Sequence, residues 1–202
     1  MKSLFLVIFI SLTLYNSAAE KDPNEKLFTA AITGDLDDLR QLVSKGADIN
    51  VKSKYGRNVL MVAAEYANTD VVKYLLAKGA EINTHCTRQG MTVLMCAIRI
   101  NVAYYYKKID MASIKKKAAE MKKESINVVQ CLIENGVDIE ARDKRGRTAL
   151  MYAAEHNNLA VAKYLIEKGA DVNFKNKYGK TALSLAREKE IKDLLLKHGS
   201  NQ

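Results

Sequence analysis

Histidine, cysteine and clustered carboxylate side chains are the residues of this sequence that could perform catalysis or bind a metal. None of the three histidines, His85, His156 and His198, has a second metal-type ligand at helical or loop spacing, whereas zinc needs three or four ligands. The carboxylates cluster only in "GDLDDL", where they favour a helix N-terminus through its dipole. Phosphate-binding loops, dinucleotide fingerprints and nucleophile motifs do not occur. We therefore predict no enzyme activity, no metal site and no cofactor.

The three cysteines, Cys86, Cys96 and Cys131, are odd in number and unevenly spaced, which is not the pattern of a disulfide framework. Cys96 and Cys131 occupy core or near-core slots, where buried free thiols are ordinary. A disulfide between these two stays open at this point. Cys86 is expected to be exposed in a loop, where it could pair with a partner or a second copy.

Basic and aromatic residues are concentrated in four short segments. The segments "VKSKYGR", "THCTRQGM", "ARDKRGR" and "FKNKYGK" carry net charges of +3, +1, +3 and +3 in a chain with a net charge of +9. A fifth basic stretch, 102–124, holds seven lysines. A row of positive charge speeds encounter with an acidic partner and favours its binding.

The elements that position these segments recur along the chain. The strings "KGADIN", "KGAEIN", "NGVDIE" and "KGADVN" end at residues 50, 83, 140 and 173. A second series, including "YGRNVLMVAAE" and "RGRTALMYAAE", predicts a glycine turn followed by a short helix capped by Asn58, Thr92, Thr148 or Thr181. A second amphipathic helix, such as "VVKYLLAKG", follows each one. Helices of about ten residues are unstable alone, so stacking must supply the core.

The 33-residue period and the segment "GRTALMYAAEHNNLAVAKYLIEKGADVN" resemble the ankyrin repeat family. Alanine or valine replaces the proline of the family motif in each copy. The resemblance covers residues 24–202 and implies an all-α solenoid of five helix-turn-helix repeats with projecting β-hairpin fingers. The implied repeats are 24–50, 51–83, 84–140, 141–173 and 174–202, of which the first and last resemble capping repeats.

In that family the fingers and the first-helix surface form the usual binding face. The resemblance therefore implies a protein-binding surface in this chain, formed by Lys54, Tyr55, Arg57, Tyr66, Arg88, Arg99, Lys144, Arg145, Arg147, His156, Lys177, Tyr178 and Lys180. Arginine and tyrosine are typical anchors of protein interfaces.

The basic stretch 102–124 is an insertion between the two helices of the third repeat. Met111, Ile114, Ala118, Met121, Ser125, Val128 and Leu132 form a stripe with steps of three and four residues. This stripe predicts one long second helix beginning near Ala112. We expect the first helix to extend through Tyr104–Tyr106, which would make a helical hairpin arm and a second basic surface. A flexible lysine-rich loop is the alternative.

The first nineteen residues, "MKSLFLVIFISLTLYNSAA", have the pattern of a secretory signal peptide. Their apolar run from Leu4 to Leu14 is shorter than the ~20 residues of a spanning helix. Cleavage before Glu20 would export residues 20–202 to the periplasm or the extracellular space as one ankyrin repeat domain, with no transmembrane segment remaining.

The sequence thus predicts an exported, non-catalytic, monomeric module that binds an acidic protein partner, and nucleic acid is not expected. Two alternatives stay open. One is an envelope-associated structural or adhesive protein that binds anionic lipid or polysaccharide. The other is an inhibitor, an immunity-type protein or a secreted effector.

Overall fold

The computed structural model describes residues 22–99 and 111–199, and the predicted signal peptide lies outside these ranges. The described residues form ten helices in five consecutive pairs. The pairs are α1 Pro23–Thr33 with α2 Leu36–Ser44, α3 Val59–Glu65 with α4 Thr69–Ala77, α5 Val93–Ile98 with α6 Met111–Glu134, α7 Ala149–Glu155 with α8 Leu159–Glu167, and α9 Ala182–Leu185 with α10 Lys189–Lys197. The described ranges contain isolated β-bridges and no strand, which confirms the all-α class.

The helix pairs stack in two layers. The first helices of successive pairs contact one another in the order α1, α3, α5, α7, α9, and the second helices do so in the order α2, α4, α6, α8, α10. Each pair therefore buries its apolar faces against its neighbours rather than in a core of its own, which is how a solenoid obtains its stability. The predicted repeat boundaries stay predictions.

Short polar residues begin the first helices, as the sequence predicts. Asn58 accepts a hydrogen bond from the Met61 amide at 2.9 Å, and Thr92 accepts one from the Met95 amide at 3.3 Å. These bonds satisfy amides that have no partner inside the helix. Thr148 occupies the same position before α7 but its hydroxyl makes no capping hydrogen bond.

Small side chains allow the first helices to approach closely. Ala63 and Ala64 of α3 and Ala153 and Ala154 of α7 are all fully buried between neighbouring pairs. Tyr152 is the largest fully buried side chain of α7, and its hydroxyl reaches the loop before that helix. The layer of first helices therefore forms a continuous apolar core. Its packing sets the spacing of the loops that precede these helices.

Helix α6 confirms the predicted long second helix of the third pair. It has 24 residues, whereas α4 and α8 on either side have nine each, so it extends about 22 Å beyond them at 1.5 Å per residue. Met121, Ser125, Val128 and Leu132 of the predicted stripe are buried. Helix α5 ends at Ile98, and the predicted extension through residues 104–106 lies outside the described residues.

The cysteine thiols are free and buried, so Cys96 and Cys131 form no disulfide. The expected exposure of Cys86 is wrong, since only 7% of this residue is accessible. Its amide donates to the Met91 carbonyl at 2.9 Å and its carbonyl accepts from the Gly90 amide at 2.9 Å. Cys86 therefore forms the base of its loop, where Ser53 and Asp143 lie in the corresponding loops.

Candidate functional site

The four basic segments form loops between helix pairs, at residues 51–57, 84–91, 141–147 and 174–180, which we call the finger loops. Antiparallel bridges between Lys52 and Asn58 and between His85 and Thr92 close the first two. Each loop then bonds to the next along the stack. The Thr87 amide donates to the Tyr55 carbonyl at 2.9 Å, the Lys144 amide to the Gln89 carbonyl at 3.0 Å, and the Lys177 amide to the Arg145 carbonyl at 3.1 Å.

Glycine permits this close approach of neighbouring loops. Gly56 has a φ of +68°, a left-handed conformation that glycine adopts without strain. A Cβ atom at this position would lie 2.8 Å from the amide nitrogen of Thr87, which itself bonds to the adjacent loop. The glycine therefore serves the contact between loops as well as the turn within its own loop.

The tips of the finger loops present positive charge and two tyrosines to solvent. We call this set the finger row: Lys54, Tyr55, Arg88, Lys144, Arg145, Lys177, Tyr178 and Lys180, all exposed. Tyr55 is 45% exposed and Tyr178 is 69% exposed, and the Lys54 ammonium lies 5.1 Å from the centroid of the Tyr55 ring. A tyrosine ring offers apolar surface with a polar hydroxyl, a combination that is enriched at protein interfaces.

Two arginines predicted to bind a partner are instead neutralised within the chain. Arg57 pairs with Glu65, a carboxylate whose side chain is only 4% exposed. Arg147 Nη1 lies 2.9 Å from Glu155 Oε2, at the same step of eight residues. Each pair ties a finger loop to the end of the helix that follows it, so these two guanidiniums stabilise the surface and leave little charge to offer.

Asp143 is the residue of this surface that sequence reasoning missed. Its buried carboxylate accepts the Arg145 and Arg147 amides at 2.9 and 2.8 Å, Arg147 Nε at 2.9 Å and the Tyr152 hydroxyl at 3.0 Å. Burial raises the pKa of Tyr152 above its usual range, so the phenol stays a hydrogen-bond donor. The signal available in the sequence was an aspartate directly before a turn, a residue type that accepts a hydrogen bond from the backbone amide two residues on.

The arrangement of stacked helix pairs with bonded loops agrees with a comparison against protein families. A family model described as ankyrin repeats (3 copies) matches residues 27–107 and 116–202. The chain is an ankyrin repeat protein. No curated protein matches its sequence. Ankyrin repeats are generally protein–protein interaction modules and are typically non-catalytic, so the finger loops are the part of this member to test for binding.

Helix ends complete the surface beside the finger loops of this ankyrin repeat protein. Tyr66 was expected there, but only 9% of it is exposed and it packs with the core, which corrects its assignment. His156 is exposed at the end of α7, with its ring stacked on Tyr152 at a centroid distance of 6.1 Å. Arg99 is exposed at the end of α5. These two residues remain available for contact.

A second basic surface of the ankyrin repeat protein lies on α6. Lys115, Lys116, Lys122 and Lys123 lie in the part of α6 that extends beyond its neighbours, and all except the half-buried Lys122 are exposed. This surface belongs to the layer of second helices, whereas the finger loops precede the first helices. The protein therefore presents positive charge in two separate places.

The described part of the ankyrin repeat protein brings together no cluster of metal-ligating side chains. No three His, Cys, Asp or Glu side chains within 22–99 and 111–199 are placed to hold a metal ion. Burial raises the pKa of the Cys96 thiol to about 12, which keeps it a thiol rather than a nucleophilic thiolate. Within the same ranges, no helix is both long and apolar enough to cross a membrane.

Proposed function

We propose that this ankyrin repeat protein is a non-catalytic module that holds an acidic segment of a protein partner along the finger row. The observation that carries the proposal is the fixed register of exposed cations on adjacent loops. Backbone hydrogen bonds between the loops, at 2.9, 3.0 and 3.1 Å, fix the positions of the loops that carry these cations before a partner binds. A preorganised surface loses less conformational entropy on binding than a flexible one.

The tyrosines favour a protein partner over a simple polyanion. Tyr55 lies in the first finger loop and Tyr178 in the last, so the two rings lie at opposite ends of the finger row. An aromatic ring gains most of its binding energy by removing apolar surface from water, an effect that salt does not screen. A partner with apolar side chains between its carboxylates fits both features.

Export is part of the proposal, and the N-terminal pattern supports it. Residues 1–19 combine one lysine, an apolar run and small residues before Glu20. We expect the mature chain to begin at Glu20 and to work in the periplasm or the extracellular space. Cell fractionation followed by N-terminal sequencing tests this, and an uncut chain that stays in the cytoplasm would contradict it.

The binding test uses a fluorescein-labelled peptide of repeated Glu-Asp-Leu units and fluorescence anisotropy. Replacing Lys54, Arg145 and Lys177 by glutamate reverses exposed charge without touching the paired arginines. The matched control replaces the exposed Lys73, Lys163 and Lys192 of the second-helix layer by glutamate. We expect the finger-row variant to bind about tenfold more weakly or worse and the control to bind almost as the wild type does.

Anionic lipid and polysaccharide are the competing ligands. Heparin and vesicles of phosphatidylglycerol are therefore added as competitors, and the titration is repeated at about 0.5 M salt, where the screening length is only a few ångströms. We expect part of the peptide binding to persist. Equal competition by both polyanions, with every interaction lost at high salt, would overturn the proposal in favour of an envelope-binding role.

A further inference from the structure

The charges at the helix ends are inverted in the third helix pair. In the second and fourth pairs a finger-loop arginine and a helix-end glutamate stand eight residues apart, at Arg57 and Glu65 and at Arg147 and Glu155. The corresponding positions of the third pair, one before and seven after the capping residue Thr92, hold Met91 and Arg99. The third pair therefore has an arginine at the helix-end position where the second and fourth pairs have a glutamate.

The contacts of Arg99 show what this inversion does. Arg99 Nη1 donates to Gln89 Oε1 at 3.3 Å and lies 3.5 Å from Met91 Sδ. Both acceptors are neutral, and Arg99 has no carboxylate within ion-pair distance among the described residues. The side chain is exposed, unlike the side chain of Arg147, of which only 15% is accessible. Arg99 is therefore held in place while its charge stays open to a ligand.

The surroundings of Arg99 add to the positive potential. His156, at the equivalent end of α7, is exposed, but its imidazole is partly withdrawn from water, which lowers its pKa, and the charges of Arg99, Arg147 and Arg187 lower it further. Among the described residues, Glu155 raises this pKa, and it is already paired with Arg147. The charges of Arg99 and Arg187 thus act on His156 in addition to that of Arg147, which is already paired within the chain.

We propose that Arg99 is the specificity-determining residue of this surface and receives a carboxylate of the protein partner beside His156. The inference rests on the proposed function and assigns its central contact. A guanidinium donates two parallel hydrogen bonds to a carboxylate, which fixes orientation as well as charge. Its position between the second and fourth pairs places the contact in the middle of the finger row, where binding energy tends to concentrate.

The test restores in the third pair the arrangement of its neighbours. The double substitution Met91→Arg with Arg99→Glu recreates the internal ion pair, so the fold has a precedent on both sides, and it changes the net charge by −1. Lys163→Gln on the exposed face of α8 makes the same change of charge far from the finger loops. In the Glu-Asp-Leu peptide assay we expect the double variant to bind about tenfold more weakly and Lys163→Gln to bind as the wild type does.

A second variant keeps the inference testable if the double variant unfolds. Arg99→Lys retains the charge on an exposed helix end but lacks the planar pair of donors, so we expect a loss of a few fold. In parallel, the ring proton of His156 is followed by NMR during a pH titration. Saturating peptide should raise the pKa of His156, because a bound carboxylate favours the imidazolium form.

The outcomes separate this inference from the function on which it rests. If the double variant and Arg99→Lys both bind like Lys163→Gln while the finger-row variant is weakened, Arg99 does not receive the carboxylate but the proposed function stands. If the finger-row variant also binds normally, both ideas fail. A peptide that leaves the pKa of His156 unchanged in the wild type would overturn the placement of the carboxylate beside that residue.

Discussion

The contact between finger loops can be tested with two glycines that share a backbone conformation. Gly90 and Gly179 both have a φ of +70°. A Cβ atom at Gly90 would lie 2.9 Å from the backbone nitrogen of Lys144, whereas a Cβ atom at Gly179 would meet nothing within 4 Å. Substituting alanine at each position therefore separates backbone strain from the loss of the loop contact.

The expected magnitudes follow from these geometries. The left-handed conformation costs an alanine about 1–2 kcal/mol at either position. At Gly90 the methyl group must also push away the backbone of Lys144, which breaks the 3.0 Å hydrogen bond to the Gln89 carbonyl, worth about 1 kcal/mol, and crowds the interface by about 1–3 kcal/mol. We expect Gly179→Ala to lose about 1–2 kcal/mol and Gly90→Ala about 3–6 kcal/mol of unfolding free energy.

Urea unfolding followed by far-ultraviolet circular dichroism measures both losses. Hydrogen exchange at the amide of Lys144 gives a local readout and should be faster in Gly90→Ala and unchanged in Gly179→Ala. In the peptide assay, Gly90→Ala should also weaken binding, because the cations of adjacent loops lose their register. Equal destabilisation by the two substitutions would refute the idea that loop packing, rather than turn conformation, selects glycine at position 90.

Three further predictions concern stability. Ala67 has a φ of +58° in the turn between α3 and α4, so Ala67→Gly should stabilise the protein by about 0.5–1 kcal/mol, and a destabilised variant would contradict this. The folded state lowers the pKa of His156 below 6.5, so protonation of the imidazole favours the unfolded state. The wild type should therefore lose stability relative to His156→Gln as the pH falls below about 6.5, and the difference should be constant above that pH. A difference in urea midpoints that does not change with pH would contradict this prediction. Ser125→Ala leaves the buried side-chain amide of Asn158 without its acceptor at 2.9 Å and should cost about 1–3 kcal/mol of unfolding free energy in urea. The control Ser44→Ala removes an exposed hydroxyl and should cost far less. Similar losses in the two variants would show that the buried hydrogen bond adds no stability.

Most of the fold could be predicted because its signals are local and periodic. A capping residue such as Asn58 lies within three residues of the amide that it satisfies, so its role is legible from sequence. The stripe from Met121 to Leu132 likewise predicts a helix because its period matches one helical face. Thr148 lies at the capping position, but its hydroxyl makes no capping hydrogen bond. Even a local pattern therefore predicts the residue type and not every hydrogen bond that the residue makes.

The candidate site was predicted less completely, because exposure and charge pairing depend on how the helix pairs stack. The sequence alone determined that cations cluster in loops repeating before each first helix, since spacing and composition suffice for that inference. Only the tertiary structure decided that Arg57 and Arg147 are paired within the chain, that Tyr66 is buried, and that Arg99 is left with neutral partners. The ion pairs of Arg57 and Arg147 join a finger loop to the far end of the helix that follows it. Such a contact depends on how the loop lies against that helix, so the residue types alone do not reveal it.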